Sequence, residues 1–108
     1  MDKNIEIIYS YKGIEDAVKT SVHQYVESNL QTKMDTYFKK ILTHDDARIL
    51  ITIHIEKNHA KKFDGVFSFN LDGKPLRYAR EGNDSFRNLH DLVNHAFDHV
   101  KRELASSK

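Results

Sequence analysis

Along the chain, the spacing of apolar residues switches between the two-residue period of a strand and the three-to-four-residue period of a helix. Asn4 to Tyr11 is rich in Ile and Tyr and reads as a strand, although the adjacent Ile7 and Ile8 break a strict alternation. From Ile14 the spacing is helical: Ile14, Val18, Val22, Tyr25 and Val26 form one stripe, and Leu30, Met34, Tyr37, Phe38 and Ile41 continue it mostly at steps of four. At about 100° per residue, the second set points roughly 140° away from the first. One straight helix cannot bury both against a flat sheet. A bend or break near Glu27–Gln31, or a helix end that packs differently, is expected.

Thr43-His44-Asp45-Asp46 is the following loop. Ala47 to Lys57 then alternates cleanly, with Ile49, Ile51, Ile53 and Ile55 on one side and Arg48, Leu50, Thr52, His54 and Glu56 on the other. This marks a strand with one face in a core. Phe63, Phe67, Phe69 and Leu71 repeat the pattern, interrupted by Gly65. Asp72-Gly73 is a hairpin signal. Lys74 to Arg80 returns from it with Leu76 and Tyr78 inward and Pro75 suited to the first residues or an edge. Gly82-Asn83-Asp84-Ser85 offers turn and N-cap chemistry, after which Phe86, Leu89, Val93, Ala96, Phe97, Val100 and Leu104 share one helical face.

The order β-α-β-β-β-α predicts an α+β fold, a four-stranded sheet with two helices packed on one face. Its other face is expected to stay polar, leaving function to helix flanks, sheet edge or hairpin. The 108 residues fit one domain spanning 1–108. With 39% hydrophobic and 31% charged residues the chain is globular rather than disordered. The absence of cysteine excludes a disulfide scaffold, a thiolate metal site and a thiol nucleophile. The opening residues hold no apolar stretch suited to a signal peptide, and no apolar run approaches the roughly 18 residues of a membrane span. A cytoplasmic protein with no membrane partner is expected.

A net charge of +1 points to no partner, but its distribution does. Residues 57–80 carry six basic side chains (Lys57, Lys61, Lys62, Lys74, Arg77 and Arg80) against two acidic ones, Asp64 and Asp72. Such a local field governs binding more than the total does, although lysines on a hairpin also deter aggregation.

Enzymatic machinery is not expected. There is no Gly-rich phosphate loop, nucleophile elbow or His-Glu-x-x-His helix. His95 and His99 lie four apart on one helix face, but structural zinc takes four ligands and catalytic zinc three plus water, so neither a metal nor a cofactor is expected. Glu15-Asp16 and Asp45-Asp46 read as helix-start and loop acids rather than acid–base pairs.

Binding has more support. His95, His99 and Arg102 project opposite the apolar stripe of the last helix, with Arg87 and Lys101 on a flank. Lys33, Lys39 and Lys40 crowd the C-terminal part of the first helix, where lysine also complements the helix dipole. If both helix ends and the hairpin bearing Lys57, Lys61 and Lys62 face one direction, they form a discontinuous basic surface suited to folded RNA.

The chain resembles the ribosome hibernation-promoting factor and ribosome-associated inhibitor family over nearly its whole length. The resemblance rests on the β-α-β-β-β-α order, on Tyr25-Val26-Glu27, and on Glu56-Lys57-Asn58 closing the long second strand. It also rests on the Asn83-Asp84-Ser85-Phe86 opening of the last helix and on Asp98-His99-Val100-Lys101-Arg102-Glu103-Leu104. It implies no catalysis. The protein would bind ribosomal RNA in the decoding channel of the small subunit and block messenger and transfer RNA during stress or stationary phase. Arg102 matches the family arginine and Lys57 the lysine of Glu-Lys-Asn, whereas His99 replaces a lysine; aligned without a gap, His95 meets that lysine instead. The first helix is one or two turns longer than the family's, and the last has about one extra turn. The chain ends at Ser106-Ser107-Lys108, like the family's short members, which favour ribosome pairing with help from another small factor.

Two other readings remain open. A double-stranded RNA-binding domain also lays two helices on one face of a sheet. A protein–protein adaptor could use Lys74–Arg80 as an open strand edge. The residues set no oligomeric state of their own.

Overall fold

Four isoleucines at alternate positions form the centre of the molecule: Ile49, Ile51, Ile53 and Ile55 are all at most 1% exposed. They lie on β2 (Ile49–Lys57), which is flanked by β1 (Ile5–Lys12) and β3 (Phe63–Leu71), with β4 (Lys74–Arg80) outermost. This computed structural model describes residues 4–106. β1 runs parallel to β2, with Ile5 opposite Ile49, and the other neighbours are antiparallel. Parallel strands need a crossover, which the first helix supplies: α1 (Asp16–Asn29), a wide π turn (Leu30–Met34) and α2 (Asp35–Ile41). The last helix, α3 (Leu89–Ser106), packs beside it on the same sheet face. The architecture is the four-stranded α+β sandwich expected from the element order.

The π turn resolves the conflict between the two apolar stripes. Val22, Val26, Leu30, Met34 and Phe38 are all buried at steps of four. In a regular α-helix each such step drifts by about 40°. A π turn bonds i→i+5 and so lowers the rotation per residue, bringing Met34 and Phe38 back over the sheet. The expected bend is therefore a widened turn inside one continuous rod, centred slightly later than Glu27–Gln31.

The β3–β4 turn matches its sequence. Asp72 and Gly73 both adopt left-handed backbone, φ 53° and 95°, as the tight hairpin favoured by Asp-Gly requires.

Three expectations need correction. Phe86 is not the first apolar residue of the last helix. Its N–H donates to the Phe63 carbonyl at 3.0 Å and its carbonyl accepts from Phe63 N–H at 2.7 Å, so it extends the sheet before the helix begins. Gly82-Asn83-Asp84-Ser85 accordingly does not cap that helix. Gly82–Asp84 form a short 3-10 turn, and Asn88 Oδ1 accepts Asp91 N–H at 3.2 Å in the capping role. Finally, the open sheet face is not wholly polar, because Ile8 and Leu50 lie on it 45% and 36% exposed.

Candidate nucleic-acid interface

β4 alternation turns Leu76, Tyr78 and Arg80 toward the helices and leaves Arg77 on the open sheet face. Tyr78 is buried, with Phe67 edge-on at 6.1 Å between ring centroids. The Arg80 guanidinium lies 5.4 Å from the same ring centroid, and its Nε donates to Tyr78 Oη at 3.1 Å. That bond and the Asp84 carboxylate bind the guanidinium proton still more tightly than usual. His99 packs on Tyr78 at 5.4 Å, and one turn earlier His95 packs on Phe86 at 5.1 Å. His99 is therefore half-buried at the α3–β4 seam rather than projecting opposite the apolar stripe.

Residues 95, 99 and 102 fall within about 60° of one another on a helix. Arg102 thus continues the line of the two imidazoles. His95, Asp98, Lys101, Arg102 and Ala105 line an open depression of about 470 Å³ on the outer side of α3. The fold therefore gathers Arg80, His95, His99 and Arg102 along the β4-facing flank of α3, with Lys101 across the outer depression on the side facing α1.

The lysine hairpin is held by Asn58. Its Oδ1 accepts the N–H groups of Ala60 and Lys62 at 3.0 and 3.1 Å. Its Nδ2 donates to Asp64 Oδ1 at 3.0 Å and to Ser85 Oγ at 2.9 Å. One side chain thus fixes the loop and ties it to the segment leading into α3. Lys61, at φ 60°, occupies the left-handed region that lysine seldom adopts. Lys57 Nζ lies 6.0 Å from the centre of the Phe63 ring.

The hairpin and the helix C-termini do not share one rim. α3 starts beside the Phe63–Phe86 bridge and runs roughly 27 Å for 18 residues. Leu104 then meets Tyr37, Lys40, Ile41, Leu71 and Lys74 around a second depression at the far end of the sheet. Lys39 and Lys40 are therefore at the end opposite Lys57, Lys61 and Lys62. Arg102 lies toward that end too, joined to the hairpin end only through the α3–β4 seam. The expectation of a single direction for all these groups is corrected to two ends linked by one flank.

Some cations are also engaged within the fold. Lys33, whose side chain is 23% exposed, bonds Asp98 at 2.8 Å and so ties the π turn to α3. Lys39 pairs with Asp35 at 3.0 Å. Among the described residues no ion pair engages Lys57, Lys61, Lys62, Arg77, Arg80, Lys101 or Arg102. On the open sheet face Arg77 is apart from the rest, and Glu56 and Asp64 stand directly opposite one another there. Lys12, beside Glu56 at the hairpin end, was not singled out by the sequence, nor was Tyr78 as the platform for Arg80. The Tyr78-x-Arg80 spacing on a strand is the signal that places both on one face.

On the other flank, His23 stacks on Tyr9 at 3.8 Å between centroids and 17° between planes. Lys19 Nζ lies 5.3 Å from the centre of the Tyr11 ring. Burial pushes both phenols up to about 12, with the charges of Tyr11 and Glu27 adding to the effect at Tyr9.

The fold is that of a solved protein. The chain aligns with the N-terminal domain of Protein Y from Thermus thermophilus with a TM-score of 0.56, covering 96% of each chain at 16% sequence identity. No family model and no curated protein sequence matches it. The likeness is one of fold.

Proposed function

We propose that this protein is a ribosome-associated hibernation factor. It binds small-subunit ribosomal RNA at the decoding channel and blocks messenger and transfer RNA without catalysing a reaction. The observation that carries this reading is the end-to-end likeness to the Protein Y domain, joined to the sequence resemblance around Glu56-Lys57-Asn58 and Asp98–Leu104. The site supports it: Arg80, Arg102 and the imidazoles of His95 and His99 lie along the β4-facing flank of α3, Lys101 stands across the outer depression from them, and Lys57, Lys61 and Lys62 stand at the hairpin end. Phosphates spaced along a folded RNA can be met by cations spread over such a length. Lys33 and Lys39 contribute mainly through their carboxylate partners, and Lys40 meets RNA only where it wraps the far end. Among the described residues no helix is long and apolar enough to cross a membrane, and the protein acts in the cytoplasm as a single domain.

The test is sedimentation of purified ribosomal subunits with the protein through sucrose gradients at rising salt. The protein should travel with the small subunit at low salt and be released steeply as salt increases. Protein that stays at the top of the gradient at every salt concentration, or that binds free duplex RNA as tightly as the subunit, defeats the reading.

A further inference from the structure

The two edges of the sheet are unlike. β4 is defended in the usual way, by Pro75 and by Lys74, Arg77 and Arg80. β1, with sequence IEIIYSYK, has no proline and no bulge, and pairs residue for residue with β2 over its whole length.

Its free side can be read from the ladder. The Asn4 carbonyl accepts Ile49 N–H at 3.0 Å, so the even-numbered residues of β1 bond to β2 and the odd-numbered ones point away. The N–H and C=O groups of Ile5, Ile7, Tyr9 and Tyr11 therefore face outward, and among the described residues no hydrogen bond reaches them. On the open sheet face beside this edge lies Ile8, the most exposed large hydrophobic residue described.

We propose that two copies of this chain pair antiparallel through the free edges of β1, in the register centred on Tyr9, to make one continuous eight-stranded sheet. Hydrogen-bond parity requires odd residues of one copy to meet odd residues of the other. Among the registers this allows, the one centred on Tyr9 sets Glu6 of each copy against Lys12 of the second, giving two opposite-charge cross-strand pairs. Registers shifted by one residue about the axis lose both pairs. In the same register Ile8 faces Ser10 of the second copy and lies diagonal to its Ile8, so the exposed isoleucine is covered. The contact is self-complementary under a twofold axis and closes at two copies.

The test is sedimentation equilibrium of the full chain from micromolar to millimolar concentration, which should show a species of twice the 12.6 kDa chain mass. Glu6 and Lys12 are both exposed in the single chain, so charge changes there leave the core alone. Glu6→Lys or Lys12→Glu alone puts like charges opposite twice and should weaken the dimer about tenfold. The double swap Glu6→Lys/Lys12→Glu should restore it. A chain that stays monomeric throughout, or a dimer indifferent to the single reversals, overturns the proposal. Ribosome binding is read separately, from sedimentation of the unmutated chain with ribosomal subunits, so failure of the dimer and failure of that reading are distinguishable.

Discussion

The Nδ2 amide of Asn29 donates to Oδ1 of Asn94 at 2.9 Å, tying α1 to α3 inside the helix layer. Asn29 is 4% exposed and sits at the last residue before the π turn, where Nδ2 also donates to the Tyr25 carbonyl at 2.8 Å. Its Oδ1 is buried without a protein partner. Removing Asn94 leaves one buried donor of Asn29 unmatched, so Asn94→Ala should cost about 1–2 kcal/mol. Asn29→Ala should cost more, because it also leaves a hole beside the π turn. In a double-mutant cycle by urea denaturation the two should couple by roughly 1 kcal/mol. Simple additivity would mean that the bond does not hold the helices together.

Gly65 is the second pressure point. A Cβ there would lie 2.9 Å from Leu92 Cδ2 and 3.0 Å from Phe67 Cε1, and both of those side chains are fully buried. α3 crosses β3 closely at this glycine, so Gly65→Ala must displace the helix or the aromatic core. A loss of about 1–3 kcal/mol is expected, read as a lower thermal midpoint. An unchanged midpoint would show that α3 can slide without cost.

Alkaline pH should act through the β1 tyrosines. Tyr9 and Tyr11 each bind their phenolic proton more tightly when folded, with values of about 12 against the usual 10. The stability this contributes is fully present below pH 10 and is lost as pH rises from 10 through about 12. Tyr11 Oη is buried with no partner, so Tyr11→Phe should be nearly neutral below that range. The double variant Tyr9→Phe/Tyr11→Phe should lose less stability between pH 10 and 12 than the parent chain. Equal losses in both would assign the alkaline transition to lysines instead.

The strands and their order were legible because the sheet buries one face: alternation alone gives β3 and β4 their observed limits of Phe63–Leu71 and Lys74–Arg80. The start of α3 was not legible. Phe86 and Leu89 both point at the core, and periodicity cannot distinguish an extended residue just before a helix from the first helical one. The Phe63–Phe86 pairing that decides between them is a contact across 23 residues. The π turn was legible as a conflict of stripes but not as its solution, since an offset of that kind can be met by a break or by a wider turn. At the site, the cationic residue types could be read from the sequence, but their grouping could not. His99 is drawn onto Tyr78 and Lys33 onto Asp98 by packing between elements far apart in sequence.

That grouping makes the contribution of each cation to RNA binding separable. Each phosphate contact removed should lower the slope of log affinity against log salt by about 0.7–0.9. Arg80→Ala/Arg102→Ala should reduce the slope for the small subunit by roughly 1.5, and Lys57→Ala/Lys61→Ala/Lys62→Ala by about 2. Arg77→Ala should leave it unchanged, because that guanidinium lies on the open face beyond the sheet, away from the flank of α3. Lys33→Ala should instead lower thermal stability, since its ammonium is bonded to Asp98 at 2.8 Å and the variant frees a carboxylate beside Arg102. Gradient sedimentation across a salt series, with melting curves on the same variants, separates these outcomes. A slope that falls as much for Arg77→Ala as for the seam pair would move the RNA to the other side of the molecule.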